Sequence, residues 1–301
     1  MATKKYGKLE QRVIEIFTQE KQFSFNNQIY FLSKIDKPRP QKGSGEPKTD
    51  VYILGVGEDG ENKEFKLSLK LKSSNEFQEN KMSAERAESF FGEDYESIIE
   101  ETTRSIAEKF ENQPLLYVSG KHPTKPDSVT LGWKLEIASK PRKLSAPIQL
   151  SNEEVREFVY KGVNLPPEKK NAIVSGEVIE DSGVANYILY AELEDLKTSK
   201  DVLSSMQLID EVNIEPTYLI FTANNYRTKE DKSDGARPIA VRVDWYIENN
   251  KLAHRILYDK PLYFKGRDMI PGLKEILRQI GKNHPSEITS QNLVTPSILL
   301  P

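Results

Sequence analysis

The sequence contains no cysteine, and this absence excludes disulfide bridges and thiolate metal sites. Histidine is nearly absent as well, because His122, His254 and His284 are the full set, and a site of clustered imidazoles is therefore nearly excluded. A Ser-His-Asp mechanism would have to use one of these three. A metal bound by this chain would therefore be a hard cation such as Mg²⁺, held by carboxylate oxygens.

Long apolar runs are also missing, since no stretch approaches the roughly 18 residues that can span a bilayer. The N-terminal segment MATKKYGKLEQ has no apolar region of the kind found in signal peptides. Together with the lack of cysteine, which fits a reducing compartment, these features lead us to expect a cytoplasmic protein without a membrane partner.

The 301 residues are enough for one large domain or two packed domains with a substantial core. Apolar residues make up 37% and charged residues 30% of the chain, and 13 Tyr, 12 Phe and 2 Trp are too many aromatics for a disordered protein. The net charge of −3 does not exclude nucleic acid as a partner, because DNA-binding enzymes often confine their basic surface to one cleft.

Helical and strand periodicities alternate along the chain, which predicts an α/β or α+β fold with a mixed central β-sheet flanked by helices. Residues 1–145 are predicted to form a core domain, and residues 146–301 a β-rich portion that completes the fold. Helices are predicted over residues 5–21, 84–91, 95–110, 151–162 and 271–280.

A β-hairpin is predicted over residues 49–72, with its turn in the segment GEDGEN. Residues opposite each other in an antiparallel pair have a constant index sum and point to the same face. A loop of three or five residues centred near Asp59 therefore places Asp50 level with Ser68 and on the face that carries Lys70. A two-residue loop would point Asp50 to the other face.

A carboxylate and a lysine on neighbouring strands suit phosphodiester hydrolysis, in which a metal ion prepares the attacking hydroxide and a lysine offsets the developing charge. Pro47-Lys48-Thr49-Asp50 followed by Ser68-Leu69-Lys70 resembles the motif of the PD-(D/E)xK nuclease superfamily, and of type II restriction endonucleases in particular. Glu64-Phe65-Lys66 matches the letters ExK, but the hairpin register favours the later triplet, which has Ser68 where the common pattern has an acid.

The resemblance implies a Mg²⁺-dependent, sequence-specific endonuclease of double-stranded DNA with a restriction-endonuclease-like core, of the kind found in restriction–modification systems. It also implies a homodimer and no organic cofactor. Asp50 would bind the metal, Ser68 and Lys70 would complete the catalytic motif, and the second acid would be Glu79 or Glu85, of which Glu85 fits the family pattern better. The first helix offers Glu10 or Glu15 as an alternative.

The polar segment 222–245 is interpreted as a loop between two strands that contacts DNA, because Asn and Arg fit base edges and Lys fits phosphates. Lys42, just before the hairpin, would contact the DNA backbone. Tyr263 and Phe264 lie between basic residues but are assigned to the core. The DNA-contacting candidates within segment 222–245 are Asn224, Asn225, Arg227, Lys229, Lys232 and Arg237.

Two other functions fit the same residues. A repair or phage nuclease would use the same site without strict sequence preference. A non-catalytic module that binds DNA or protein would use the hairpin only as a scaffold, because alternating strands with lysines on one side are usually solvated faces and an aspartate after a proline and a threonine usually forms a turn.

Overall fold

A computed structural model describes residues 3–43, 45–72, 78–79 and 82–301. The expected fold class is confirmed, because mixed β-sheets are flanked by helices. In the described part of the chain, no helix is long and apolar enough to cross a membrane. The α-helices are α1 Thr3–Glu20, α2 Ala84–Phe91, α3 Tyr95–Ser105, α4 Ala107–Glu111, α5 Asn152–Glu154, α6 Pro167–Lys170, α7 Ser199–Ser205 and α8 Gly266–Gln279.

Among the described residues, the strands form a six-stranded sheet, a two-stranded ribbon and a nine-stranded sheet. The strands are β1 Gln22–Phe25, β2 Gln28–Asp36, β3 Val51–Gly57, β4 Asn62–Leu71, β5 Gln78–Glu79, β6 Leu116–Tyr117, β7 Ser128–Ala138, β8 Ser145–Pro147, β9 Ile173–Val174, β10 Glu177–Val178, β11 Tyr187–Ala191, β12 Met206–Leu208, β13 Tyr218–Arg227, β14 Lys232–Ser233, β15 Val241–Glu248, β16 Lys251–Leu257 and β17 Leu299–Leu300.

The chain divides into two compact units, each made of two separate segments. The first unit contains residues 1–77 and 150–215, and the second contains residues 78–149 and 216–301. The chain therefore passes from one unit to the other three times, whereas the sequence predicted a single boundary after residue 145. Asp50, Ser68 and Lys70 all belong to the first unit.

The sheet of the first unit has the strand order β1-β2-β3-β4-β11-β12. Strands β1 to β4 form an antiparallel meander, β11 is parallel to β4, and β12 is antiparallel to β11. The turn between β1 and β2 is Asn26-Asn27, and both residues adopt the left-handed conformation that a tight hairpin turn requires. Strand β4, paired on both sides, is thus held at the centre of the sheet.

Helix α1 packs on one face of this sheet through an apolar stripe. Leu9, Val13 and Phe17 are buried with Phe65 and Leu67 of β4 in one cluster. Because side chains alternate across a strand, the odd-numbered residues of β4 enter this core and the even-numbered residues point to the opposite face. Ser68 and Lys70 therefore lie on the face away from the α1 core.

Three local predictions need correction. The helix predicted over residues 95–110 is broken at Ile106 into α3 and α4. The segment that follows Ser151 begins as α5 and continues as a π-helix over Val155–Lys161. The last helix begins at Gly266 and includes Pro271 within it, although the sequence predicted a start at the proline.

The second unit is built on a sheet with the order β14-β13-β7-β15-β16. All of β7 is buried, and its Trp133 packs edge-on against Phe110 with ring centroids 5.0 Å apart. Strand β13 pairs with β7 along its length, from Tyr218 to Arg227. The first part of the segment interpreted as a DNA-reading loop is therefore a central strand.

Candidate active site

The hairpin of β3 and β4 has the register that the nuclease interpretation required. Val51 pairs with Leu67, so opposite residues sum to 118 and Asp50 falls level with Ser68. The loop has three residues, Glu58 to Gly60, closed by a hydrogen bond of 2.8 Å from the Gly57 N–H to the Glu61 carbonyl. Gly60 takes a φ of +83°, a conformation that costs glycine little. The prediction of an odd-numbered loop is confirmed.

The literal ExK triplet lies elsewhere on the hairpin. Glu64 pairs with Leu54, four residues beyond Asp50 and thus roughly 13 Å along the strand at 3.3 Å per residue. Its carboxylate accepts a short hydrogen bond from the Tyr52 hydroxyl and lines an open cavity of about 590 Å³ in the first unit. Glu64 is therefore displaced from the level of Asp50, as the register argument predicted.

Asp50 sits where the ladder between β3 and β4 ends. The chain before it turns away, and the N–H groups of Lys48 and Thr49 donate to the Gly183 carbonyl instead. The Asp50 carboxylate takes over as acceptor for the Leu69 N–H at 2.7 Å. This bond fixes the carboxylate beside β4, one residue from Lys70.

Several charges act on the Asp50 carboxylate. Burial raises the pKa of Asp50 to about 6, and the Glu10 carboxylate adds to this rise. The Lys70 ammonium, the Leu69 N–H and the Lys37 ammonium oppose it. A half-buried carboxylate with a pKa displaced in this way is a candidate functional group, because a bound cation would restore its charge.

Helix α1 packs on the other face of the sheet, but the charge of its Glu10 still acts on Asp50. The Lys37 ammonium donates to Glu10 Oε2 at 2.7 Å and also contacts Glu46 Oε1 at 3.3 Å. Burial lowers the pKa of Lys37, but Glu10 and Glu46 outweigh burial and raise it. Glu15, the other glutamate considered on α1, is exposed. Glu10 is thus the α1 residue whose charge reaches Asp50.

The other two proposed acids lie in the second unit. Glu85 is exposed in the first turn of α2, a helix whose N-terminus Ser83 caps. Glu79 is in the short strand β5, and its side chain lies outside the described residues. Within the described part of the chain, no group of three or more His, Asp and Glu side chains is arranged to hold a metal ion.

Sequence reasoning missed Tyr190, which lies beside Lys70, and Tyr160, which is electrostatically coupled to Tyr190. Tyr190 of β11 pairs with Lys70 in the parallel register, so the two side chains share a face. Burial raises the pKa of Tyr190, the Lys70 ammonium opposes the rise and Glu215 adds to it. Tyr160 of the π-helix is buried, and burial, Tyr190 and Glu215 raise its pKa. The segment GVANYILY, which contains Tyr190, does not indicate this position, because the pairing of β11 with β4 joins residues 120 positions apart.

Several side chains proposed to contact DNA are engaged within the fold. Asn224 and Asn225 are 0% and 2% exposed in β13, and Asn225 bonds Thr130 and Asp234. Buried amides held in this way do not present their edges to DNA, so this part of the interpretation is wrong.

The charged candidates divide into paired and exposed groups. Arg227 pairs with Glu230 and with Asp234, and Arg237 donates to Glu136 at 2.8 Å. Lys229 contacts Asp127 at 2.7 Å but keeps 61% of its side chain exposed. Lys42 and Lys232 are exposed. Proposed DNA contacts therefore fall on the exposed lysines rather than on the asparagines.

Comparisons of this chain with protein-family models, with curated proteins and with solved structures return no match.

A pH dependence of stability follows from the position of Asp50. Because the folded pKa of about 6 lies above the usual 3.8, the native state binds a proton more tightly than the unfolded chain between about pH 4 and pH 6. Stability is expected to fall as pH rises through this window and to change little above it. Urea unfolding of the wild type and of Asp50→Asn, measured across this range, checks the slope. Equal slopes for the two proteins would contradict the assignment.

Proposed function

We propose that the protein is a Mg²⁺-dependent, sequence-specific endonuclease of double-stranded DNA, similar to type II restriction enzymes of the PD-(D/E)xK superfamily. The observation that carries this proposal is the hairpin register, which sets Asp50 level with Ser68 and on the face of Lys70. A surface hairpin without a catalytic role would not require Asp50 and Lys70 to lie on the same face. The electrostatic coupling between Asp50 and Lys70 supports the same conclusion, because it requires the two groups to be neighbours.

The donor set fits a hard cation. Asp50 and Glu10 supply two carboxylates in the first unit, and Mg²⁺ commonly binds one or two carboxylates while water and substrate phosphate fill its other positions. When bound, Mg²⁺ would supply a reactive hydroxide and offset charge on the phosphate. The half-buried position of Asp50 favours a cation, because the charged carboxylate is otherwise poorly solvated.

The chain's own residues have separate tasks in this proposal. Lys70 orients the attacking water and offsets the negative charge that develops on the phosphate. Ser68 is 2% exposed and small, so the position that carries an acid in the common pattern adds no second buried charge beside Asp50. The second acid then comes from outside the hairpin, and Glu10 is the candidate best supported by its influence on Asp50.

One observation favours a non-catalytic alternative. The Asp50 carboxylate also satisfies the Leu69 N–H at the end of the β3 ladder, which is a structural task that a turn aspartate can perform without any metal. A module that binds DNA or protein would keep Asp50 for this reason alone. Cleavage, rather than folding, separates the two functions.

Incubation of supercoiled plasmid DNA of mixed sequence with the protein and Mg²⁺ tests the proposal directly. Discrete fragments support a sequence-specific endonuclease. A smear or progressive resection indicates a nuclease without strict sequence preference, and intact plasmid at high enzyme concentration contradicts both nuclease functions. Parallel reactions in EDTA establish whether cutting depends on a divalent metal.

Metal binding has a test that does not require cutting. Mg²⁺ at about ten times its Kd is expected to raise the free energy of unfolding by about 1.4 kcal/mol at pH 8, where Asp50 is charged. The gain should shrink at pH 5, where the carboxylate binds a proton, and should be absent in Asp50→Asn. Equal stabilisation of wild type and variant would place the metal elsewhere.

A homodimer and a cytoplasmic location complete the proposal. Two-fold symmetric proteins commonly bind palindromic DNA sites, and sedimentation of the protein with and without a DNA duplex would reveal a dimer. The cytoplasm is proposed because the sequence has no cysteine to exploit an oxidising compartment.

A further inference from the structure

The second unit carries an exposed aromatic residue in a loop that is otherwise firmly held. Tyr263 is 72% exposed, although the sequence assigned it to the core. Its neighbour Leu262 is 3% exposed, and the Leu262 N–H donates to the Ile239 carbonyl at 2.8 Å. On the other side, the Phe264 carbonyl accepts from the Ile239 N–H at 2.9 Å. Both neighbours are held by backbone hydrogen bonds to Ile239, so the exposed ring lies in an ordered loop.

Two residues that flank Tyr263 in this loop have an unfavourable backbone conformation. Lys260 and Leu262 take φ values of +51° and +64°, which side chains other than glycine and asparagine adopt at a cost. Residues held in such conformations cluster at binding and catalytic sites, where the surrounding fold maintains them. A leucine kept in this state suggests that presenting Tyr263 has a use.

The surroundings of Tyr263 are basic. Lys260 and Arg267 are exposed and Lys265 is half-buried, while the guanidinium of Arg242 lies 4.5 Å from the centre of the Phe264 ring. Two nearby carboxylates are already engaged. Asp259 accepts from Arg242 at 2.9 Å. Asp268, just beyond the loop, accepts from the Lys265 N–H at 3.1 Å and lies 3.8 Å from Nε of Arg267, whose side chain remains exposed.

We propose that the loop of residues 259–267, here called the aromatic-basic loop, binds the backbone of duplex DNA. Lys260, Lys265 and Arg267 would contact phosphates, and the Tyr263 ring would pack on a deoxyribose. Tyrosine and basic side chains supply many of the phosphate and sugar contacts in protein–DNA complexes, and such contacts position a duplex without reading its sequence. The identity of the partner as DNA depends on the proposed function, whereas the presented ring and its charges do not.

Binding of a fluorescent duplex of mixed sequence, measured in EDTA by anisotropy over a range of salt concentrations, tests this inference. Tyr263→Ala is expected to weaken binding roughly tenfold at every salt concentration, because it removes contact area but no charge. Lys260→Asn and Lys265→Gln should each reduce the slope of log K against log salt by about 0.9, because each removes one phosphate contact. Asparagine is chosen at position 260 because it tolerates a positive φ.

Matched controls lie in the same unit. Tyr246, the partly exposed tyrosine of β15, and Lys251, the exposed first residue of β16, offer Tyr246→Ala and Lys251→Gln, which should bind like the wild type. Unchanged melting temperatures of Tyr263→Ala and the lysine variants would exclude misfolding. Wild-type affinity and salt slope in those variants would overturn the inference. It would also be overturned if the protein bound single-stranded DNA more tightly than the duplex and if Tyr263→Ala, but not the lysine variants, abolished that preference.

The design separates this inference from the proposed nuclease function. Because binding is measured without a divalent metal, loss of affinity in the loop variants supports DNA binding by the aromatic-basic loop even if the protein does not cut DNA. If the protein cuts DNA but its loop variants bind DNA normally, the proposed nuclease function stands and the proposed DNA contact of the loop is rejected.

Discussion

Asp50→Asn is expected to reduce Mg²⁺-dependent cleavage of DNA by roughly a thousandfold while leaving the hairpin intact. Asparagine keeps an oxygen that can accept a hydrogen bond from the Leu69 N–H, so the hydrogen bond that measures 2.7 Å in the wild type can still form. The negative charge is lost, and with it the electrostatic stabilisation that a bound cation would transmit to the phosphate, a term often worth a factor of 10² to 10³. The rate of plasmid cleavage, compared with duplex affinity in EDTA, measures the effect.

Lys70→Ala extends the same test to the partner strand. The lysine shares its face with Asp50, and its ammonium opposes the rise in the pKa of that carboxyl. Its loss should therefore lower the cleavage rate by about two orders of magnitude and also move the acidic limb of the pH–rate profile upward. A variant that affected only folding would leave the pH of that limb unchanged.

Glu64→Gln is the matched control for both variants. Glu64 lies on the same hairpin and matches the ExK letters more closely than Ser68, but it pairs with Leu54 rather than standing level with Asp50. We expect cleavage within a few-fold of the wild-type rate. Full activity in Asp50→Asn or Lys70→Ala would contradict the active-site assignment, and loss of activity in Glu64→Gln alone would move the site to the cavity that Glu64 lines.

The hairpin register was predictable because it depends on two local rules. Side chains alternate along a strand, and the parity of the loop fixes which residues share a face. The Asn26-Asn27 and Asn249-Asn250 turns obey a similar local rule, since asparagine tolerates the left-handed conformation that all four residues adopt. Local chemistry thus determined the half of the candidate site that lies on one hairpin.

The remainder of the site depends on contacts between distant parts of the chain. Tyr190 reaches Lys70 only because β11 pairs with β4, and Glu10 reaches Asp50 only because α1 packs on the same sheet. The polarity of Asn224 and Asn225 indicated a loop, yet both are buried in β13. A short sequence window cannot show whether a polar side chain faces solvent or a partner that arrives from elsewhere in the fold.

Glu10→Gln is the second variant for which we expect a large effect, a loss of about a hundredfold in cleavage rate if Glu10 is the second metal carboxylate. Glutamine is nearly isosteric and can still accept from the Lys37 ammonium, which now donates to Glu10 at 2.7 Å. The helix should therefore remain in place. Glu15→Gln, an exposed change on the same helix, should have no effect.

The pH dependence of Glu10→Gln distinguishes a direct role from a structural one. The Glu10 charge raises the pKa of Asp50, so its removal should lower that pKa and shift the acidic limb of the pH–rate profile to lower pH, even as the maximal rate falls. Both changes together are expected only if Glu10 and Asp50 act on one site. If Glu10→Gln cuts DNA at the wild-type rate and Glu85→Gln does not, the second acid comes from α2, as the family resemblance first implied. A wild-type rate in both variants would leave Glu79, and loss of cutting in Glu79→Gln alone would assign the acid to β5.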